Sequence, residues 1–168
     1  MVHRATDRSS NAAGPMAFMR RAKAAGFDGV LVPDAPLEEV GPFRVAADGV
    51  GLQLALAVAA GAPSARMGEI AKVATACVVG VARTAADMAP GSARFRQVSP
   101  LALLWGMEAA TVAHVRSATE HGDGVIIAGA LIRRVRSTSG RDAGARAEEL
   151  LRELSAGLMP ARVVGGAA

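Results

Sequence analysis

Cysteine and tyrosine are the residues that this sequence most clearly lacks. Its 168 residues include one cysteine, Cys77, no tyrosine, one tryptophan and four phenylalanines. A single cysteine excludes an intrachain disulfide, and its position in the apolar run 77–79 favours a buried thiol over a reactive one. The shortage of aromatic side chains argues against a surface that stacks nucleic-acid bases. We therefore predict no nucleic-acid partner and a reducing, cytoplasmic environment.

Long hydrophobic runs are also missing. No apolar stretch approaches the length of a membrane-spanning helix, although 51% of the residues are hydrophobic. The first eleven residues are polar and contain no hydrophobic signal core. We therefore predict no membrane association, and a single domain with enough apolar residues to form a core.

Lysine is scarce, and arginine carries most of the positive charge. The net charge is +4, and lysine occurs only at Lys23 and Lys72. An arginine excess fits affinity for phosphate or nucleic acid, but it also fits a solvated surface that reflects a GC-rich coding bias. The densest basic group (Arg133, Arg134, Arg136) falls at a predicted helix end, where cations complement the helix dipole without any ligand.

Short apolar runs alternate with helical patterns along the chain. Five runs are typical of strands: 29–32, 52–59, 77–82, 101–105 and 124–127. The helical patterns between and after them include two with candidate N-caps, Ser64 and Asp142. This alternation predicts βαβ units whose parallel strands are buried on both faces. We predict a polar N-terminal segment over 1–13, one domain over 14–158 and a flexible tail over 159–168.

Three segments resemble signatures of the tryptophan synthase α chain family, in the family's order. Residues 25–39 read AGFDGVLVPDAPLEE and are similar to AGVDGVIVPDLPxEE around the family's barrel strand four. Residues 100–106, PLALLWG, are similar to PVxVGFG at strand seven, with Leu104 where a glycine is usual and Trp105 in place of phenylalanine. Residues 122–131, GDGVIIAGAL, resemble ADGVIVGSAL at strand eight. The resemblance implies an α/β fold, a partial (β/α)8 TIM barrel of about five parallel strands that correspond to family strands four to eight, with flanking helices.

The resemblance also implies an activity, which in the family is the aldol cleavage of indole-3-glycerol phosphate to indole and glyceraldehyde 3-phosphate in tryptophan biosynthesis. Family strands one and two carry the glutamate that acts as acid and base and the aspartate that holds the indole nitrogen. Neither strand has a counterpart in this sequence, and the cleavage needs positioned carboxylates to move protons. We therefore expect a lyase-family protein that is catalytically impaired, and we assign no catalytic residue. Asp34 in the PDAP turn is the remaining candidate, although an aspartate beside two prolines is commonly a turn residue.

The family's phosphate cradle has counterparts in this sequence. Gly106 matches the glycine after strand seven, and Ala128 and Gly129 stand where the family has Gly-Ser after strand eight. Such a cradle works through backbone N–H groups at a helix N-terminus. Ala128 adds a methyl group and Gly129 lacks a hydroxyl, so we expect phosphate binding to be weakened. A plain turn at these positions remains the alternative interpretation.

The loop after the third predicted strand departs further from the family. The family reads Tyr-x-x-Ser-x-x-Gly-x-Thr-Gly there, whereas this chain places Val79, Ala82, Ala85, Asp87 and Met88 at those positions. In the family this loop closes over the substrate, and a negative charge at Asp87 would disfavour a phosphate.

No other chemical motif is present in the sequence. His3, His114 and His121 are too scattered to form a metal site, and we expect no metal and no cofactor in this chain. Asp123 lies at the start of a predicted strand. In a barrel, the starts of the strands form the face that serves stability, so we expect Asp123 to act as a capping or turn residue.

Three functional hypotheses remain. One is a lyase that passes indole to a β-like subunit carrying pyridoxal phosphate, with a sugar phosphate as ligand. The second is a non-catalytic interaction protein that binds a β-like subunit or self-associates through exposed strand edges. The third is a decayed paralogue without a selected role.

Overall fold

The computed structural model describes residues 2–4, 8–106, 111–137 and 142–158, with side chains described from residue 14 onward. The described strands are β1 (Val2–Arg4), β2 (Gly29–Val32), β3 (Gln53–Ala59), β4 (Cys77–Val81), β5 (Ala102–Gly106) and β6 (Gly124–Ile126). The helices are α1 (Arg8–Ala24), α2 (Gly41–Asp48), α3 (Ser64–Val73), α4 (Met88–Arg96), α5 (Val112–His121), α6 (Gly129–Arg136) and α7 (Ala143–Ser155). Short 3-10 turns occupy Leu37–Glu39 and Ala85–Asp87.

The strands form one parallel sheet in chain order. Six strands lie side by side as β1-β2-β3-β4-β5-β6, and every neighbouring pair is parallel. Each connection carries a helix, as parallel strands require. The predicted α/β fold, a partial TIM barrel, is confirmed. No helix in the described ranges is both long and apolar enough to cross a membrane.

β1 is the strand that the sequence did not predict. Residues 1–13 were expected to be a polar segment outside the domain, but Val2–Arg4 pairs in parallel with Gly29–Leu31 of β2. The strand has three residues, two of which are His3 and Arg4, so it contains no apolar run from which a strand could be predicted. It is recognised in the structure by its pairing with β2. Within the described residues, the sheet therefore has six strands rather than about five.

α1 contains a break near its start. The helix begins at Arg8 and is interrupted at Gly14, whose φ of 73° lies in the left-handed region that favours glycine. Pro15 then opens the regular part of the helix, which is where its fixed φ is tolerated. The predicted tail, 159–168, lies outside the described residues.

Two predicted N-caps do not form capping bonds. Ser64 is the first residue inside α3, and Pro63 holds the cap position. Asp142 precedes α7 with helical backbone angles and no side-chain capping bond. A cap that the sequence analysis missed is Thr111, whose Oγ1 accepts a bond from the His114 backbone N–H at 3.2 Å. The extended backbone of Thr111 allows this bond, whereas the helical angles of Asp142 point its carboxylate elsewhere.

The main core lies between the sheet and the helix layer. Alternate residues of the strands point toward the helices and so into this core. They include Val30, Leu54, Leu56, Val78 and Leu103. These positions have period two, as in any strand, and the helices cover them with side chains of α1 to α5. A second cluster joins Val115 of α5 to Leu150 and Leu154 of α7. α7 therefore packs onto the outer layer.

The remaining strand residues line the opposite, concave face of the sheet. The register aligns Val79 with Leu104, and Leu104 with Gly124. Two residues further along β4 and β5, it aligns Val81 with Gly106. A Cβ built on Gly106 would lie 3.3 Å from Val79 Cγ1, which places both residues on this face. Over β4 to β6 the concave face is thus built from small and apolar residues.

Trp105 is buried at the junction of β4, β5, α4 and α5. It is 1% exposed, and a Cβ built on Gly80 would lie 2.5 Å from its Cζ3 atom. A Cβ on Gly122 would lie 2.7 Å from its Cδ1 atom and 2.8 Å from the Leu103 carbonyl oxygen. The large ring therefore fits only because glycine occupies the neighbouring positions.

The indole N–H of Trp105 has a buried partner. Trp105 Nε1 donates to Ser92 Oγ at 3.3 Å, and the Ser92 hydroxyl donates to the backbone carbonyl of His121. Ser92 is 8% exposed, so water cannot readily replace it. This relay ties α4 to β5 and to the end of α5.

Replacing Ser92 tests that relay. Ser92→Ala should lower the free energy of unfolding by about 1–3 kcal/mol, because a buried N–H loses its partner. Urea denaturation followed by the fluorescence of Trp105, the one tryptophan of the chain, measures the loss. Ser155→Ala is the control, since Ser155 is exposed on α7. Equal stability of the two variants would contradict the role of the relay.

Candidate functional site

The carboxyl ends of all six strands meet at one edge of the sheet, because every pair is parallel. In barrels of this type the ligand site forms at that edge. The segments that follow β2, β4 and β6 there contain Asp34, the turn Ala85–Asp87 and the Ala128-Gly129 pair. Gly106 is the last residue of β5. The predicted site residues therefore share one edge, and their spacing along it decides which of them can act together.

Gly106 and Gly129 lie at the tips of neighbouring strands. β5 and β6 pair in parallel with Gly106 opposite Ile126, and α6 begins at Gly129, three residues further. Ala128 precedes α6 with no side-chain capping bond. The first backbone N–H groups of a helix have no partner inside it. The β6 tip thus presents uncapped donors beside the glycine that ends β5.

Gly106 also suits close approach of a ligand to the backbone. A Cβ at this position would crowd Val79 Cγ1 at 3.3 Å, so a side chain would need the neighbour to shift. Without one, the backbone at the end of β5 is open toward the concave face. The adjacency of the three predicted phosphate-binding residues (Gly106, Ala128, Gly129) is consistent with a cradle for a small anion.

Asp34 lies apart from that pair of tips. It is exposed in the segment after β2, and β3 and β4 separate β2 from β5. Three strand spacings amount to about 14 Å within a sheet. The structure therefore does not bring Asp34 directly beside Gly106 and Gly129.

An ion pair that the sequence analysis missed anchors the segment after β2. Arg66 of α3 donates from Nη1 to Glu38 Oε1 at 2.9 Å and to Glu69 Oε2 at 3.3 Å. The hydrogen bond from Arg66 holds the pKa of Glu38 below its usual value. These groups are exposed, so the pair orients the segment more than it stabilises the fold. Glu38 and Arg66 lie 28 residues apart in sequence, and no local pattern announces the contact.

The carboxylate of Asp87 is hydrogen-bonded within its own loop. Its Oδ2 accepts hydrogen bonds from the Thr84 backbone N–H and the Thr84 hydroxyl, both at 2.9 Å. The backbone bond, followed by the hydroxyl bond, lowers the pKa of the carboxyl group. A capping box of this kind holds the 3-10 turn Ala85–Asp87 in place.

Asp123 lies at the opposite, amino-terminal edge of the sheet, as expected. Its Oδ2 accepts from the Leu103 backbone N–H at 2.7 Å and pairs with Arg96 Nη2. An open groove of about 900 Å³ lies at the same edge, lined by the ends of α4 and α5. Because this edge faces away from the strand tips, Asp123 and Arg96 tie the sheet to α4 rather than serve the candidate site.

The histidines and the cysteine lie outside the candidate site. His114 lies on α5 and His121 at its end, both half-buried, while His3 has no described side chain. Across the described ranges, no three His, Cys, Asp or Glu residues come together as a metal site. Cys77 is buried within β4, and burial raises the pKa of its thiol.

Sequence comparison identifies the relatives. The family model for the tryptophan synthase alpha chain matches residues 10–159. The tryptophan synthase alpha chain of Chromobacterium violaceum is 31% identical over 156 residues, which is 88% of this chain and 60% of that protein. That of Picosynechococcus is 36% identical over 129 residues, covering 71% of this chain and 49% of the relative. The chain thus spans about half to 60% of the length of the curated relatives it matches.

Solved structures agree with the fold. Tryptophan synthase from M. tuberculosis in its aminoacrylate-bound form superposes with a TM-score of 0.79 at 22% identity, covering 94% of this chain and 60% of that one. The tryptophan synthase complex from Pyrococcus furiosus gives 0.77 at 24% identity, over 88% of this chain and 62% of that one. At these identities the solved structures support the fold alone, and the family assignment rests on the sequence matches. These matches show that this chain belongs to the tryptophan synthase α chain family.

Proposed function

We propose that this chain is a tryptophan synthase α-like protein that binds a sugar phosphate weakly at the tips of β5 and β6 and is impaired in aldol cleavage. One observation supports the binding half of the proposal: Gly106 and Gly129 stand at adjacent strand tips, and α6 starts there without a side-chain cap. The family's substrate, indole-3-glycerol phosphate, carries a phosphate group that such donors suit.

The electrostatics at the start of α6 favour an anion. A helix carries partial positive charge at its N-terminus, and α6 has no acidic side chain in its first turn to neutralise it. At the other end, Arg133, Arg134 and Arg136 lie in the last turn, where they complement the negative end of the dipole. The basic group predicted from sequence is therefore accounted for by the helix end.

The same tips explain why binding should be weak. Gly129 offers a backbone N–H but no hydroxyl, and Ala128 carries a methyl group where the family has glycine. Asp87 keeps its negative charge through its bonds to Thr84 and lies on the loop after β4, next to β5. Its charge opposes a phosphate on the neighbouring tip.

The proposed loss of aldol cleavage is supported by the bonding of the carboxylates at the strand tips. In the described ranges, the segments following the strands contribute Asp34, Glu38 and Asp87 to that edge, together with Glu39. Glu38 is paired with Arg66 and Asp87 caps its own turn. Aldol cleavage needs both an acid and a base within hydrogen-bond reach of the bond that breaks, and these bonds leave few carboxylates to supply them. Asp34 remains a candidate, and we assign it no catalytic role.

Thermal shift with glycerol 3-phosphate tests the phosphate cradle. At a few times the Kd, the ligand should stabilise the chain by about 1 kcal/mol, which is roughly 2–4 °C in Tm. Gly129→Asp should abolish the shift, because its carboxylate occupies the positive end of α6.

Gly144→Asp is the matched control, since Gly144 lies in the first turn of α7 with open space around it. This variant should keep the full ligand-induced shift. A shift that survives in Gly129→Asp would show that phosphate binds elsewhere, and no shift in the unmodified chain would overturn the cradle itself.

A non-catalytic interaction role is the second candidate, supported by the two end strands of the described sheet, which each lack a partner on one side, and by the exposed Val81 near the strand tips. The Pyrococcus furiosus relative is described as a tryptophan synthase complex, so a β-like subunit is the natural partner to test. Binding to a β-like subunit without any glycerol 3-phosphate shift would favour this candidate over the first. A chain that does neither would fit a decayed paralogue.

A further inference from the structure

A small cleft lies near the carboxyl ends of β2 and β3. It has a volume of about 110 Å³, and it is bounded by Val32 of β2, Leu56 and Ala57 of β3, the segment 35–37 and α3. Val32 and Leu56 belong to the main core between the sheet and the helices. The walls of the cleft thus lie mainly on the helix side of the sheet, whereas Gly106 faces the concave side.

The lining of the cleft is almost entirely apolar. Eight of its nine lining residues have apolar side chains, and the ninth is Arg66. Val32, Val40, Leu56 and Ile70 are between 1% and 8% exposed, so little of these walls is open to bulk water. Protein interiors are packed as densely as organic crystals, and the walls of a void lose the contacts that a neighbour would supply. An apolar occupant would restore those contacts.

Arg66 brings a charge to the cleft while its N–H groups are already bonded. Its Nη1 donates to Glu38 Oε1 at 2.9 Å and to Glu69 Oε2 at 3.3 Å, and its Nη2 donates to Glu38 Oε2 at 3.4 Å. Glu38 follows Leu37, which lines the cleft, so this ion pair joins the segment after β2 to α3 at the rim.

This bonding disfavours water in the cleft and favours an aromatic ring. A buried water molecule makes typically about three hydrogen bonds to polar groups, and apolar walls do not offer them. A guanidinium whose N–H groups are bonded to carboxylates still attracts the face of an aromatic ring. A charged occupant is less suitable, because a cation would meet Arg66 and an anion would meet Glu38 and Glu69.

The volume selects a single ring. An apolar cavity of roughly 150 Å³ is known to take up benzene. The cleft, at about 110 Å³, is somewhat smaller, so it suits one ring of that class and is too small for two fused rings.

We propose that this cleft binds one small, uncharged aromatic ring, held between its apolar walls and the guanidinium of Arg66. The occupant is a single-ring molecule in solution. The proposal goes beyond the phosphate cradle and does not rest on it, because β4 separates β3 from β5 and two strand spacings amount to about 10 Å.

Titration of the full chain with benzene, followed by methyl NMR, tests the cleft. We expect saturable shifts at Val32, Leu56 and Ile70, with a Kd on the order of 1 mM. Val45 should not shift, because it is 69% exposed on α2. Glycerol 3-phosphate should leave the Kd for benzene unchanged. Saturable shifts at other sites alone, or no saturable shift up to the solubility limit of benzene, would overturn the proposal.

Filling the cleft should remove the binding. Ala35→Leu places a larger side chain in the lining and should weaken benzene binding about tenfold or more, while circular dichroism shows a folded chain. Ala24→Leu is the matched control, since Ala24 is exposed at the end of α1. An unchanged Kd in a folded Ala35→Leu chain would place the ligand elsewhere and refute the site.

Comparison of benzene with cyclohexane tests the role of Arg66. Both are apolar six-membered rings, and only benzene has an aromatic face. In Arg66→Leu the preference for benzene over cyclohexane should fall about two- to fivefold, as expected for the loss of a cation–π contact. Glu38→Gln keeps the guanidinium and should keep the preference. A preference that is unchanged in Arg66→Leu would refute the contact between the ring and the guanidinium.

Discussion

Alanine at position 80 is expected to lower the free energy of unfolding by about 2–3 kcal/mol, the upper range for overpacking a core. The added Cβ would lie 2.5 and 2.6 Å from two ring carbons of Trp105. The ring cannot swing away, because it is 1% exposed and its N–H is held by Ser92. The strain must therefore be absorbed by moving β4 away from the helix layer. Urea denaturation followed by circular dichroism measures the effect.

A double-mutant cycle with Trp105→Leu separates this clash from a general intolerance of β4. In the Trp105→Leu background, Gly80→Ala should cost less than about 0.5 kcal/mol, because the smaller side chain leaves room for the methyl group. Gly144→Ala is the control, with nothing within 4 Å of its Cβ. It should stabilise α7 by about 0.5–1 kcal/mol. An equal cost of Gly80→Ala in both backgrounds would rule out Trp105 as the cause.

The purified chain is expected to release no indole from indole-3-glycerol phosphate. Loss of a positioned acid or base typically costs a factor of about 10²–10⁴ in rate, and we propose that the given sequence supplies neither of the family's two carboxylates. Turnover should therefore fall at least about a thousandfold below that of the Chromobacterium violaceum relative assayed in parallel. The measurement is a time course of indole formation at saturating substrate.

Two checks make that result informative. The circular dichroism spectrum of the same sample must show a folded chain, so that inactivity is not mistaken for unfolding. Asp34→Asn is then compared with the unmodified chain. Clear turnover by this polypeptide alone would overturn our interpretation of the site, and a loss of that turnover in Asp34→Asn would identify Asp34 as the catalytic group.

The strands of the sheet differ in how far sequence could predict them. β2 to β6 were anticipated at nearly their observed bounds, because short continuous apolar runs are typical of strands in a parallel sheet. β1 was missed, since Val2–Arg4 is short and polar and is held by its pairing with β2. The local signal is strong where a strand is apolar, as β6 is even at the edge of the sheet, and weak where a strand is short and polar, as β1 is.

The site shows the same division. The resemblance predicted that Gly106, Ala128 and Gly129 would come together, and the adjacency of β5 and β6 is consistent with it. The pairing of Arg66 with Glu38 was not foreseen, nor was the engagement of Asp87 by Thr84. Arg66 and Glu38 lie far apart in the chain, and the Asp87 bonds depend on the backbone angles of the turn.

The sequence alone determined a layered α/β chain with parallel strands, its family, and the residues at the strand tips, because apolar period and motif are local properties. Only the tertiary structure decided that the six described strands leave two edges without partners, that Trp105 is enclosed by glycines and bonded to Ser92, and that Asp34 follows a strand that is not adjacent to β5 or β6. Those features are distances between segments remote in sequence. They are set by how the sheet curves and how the helices pack on it, and no single segment encodes them.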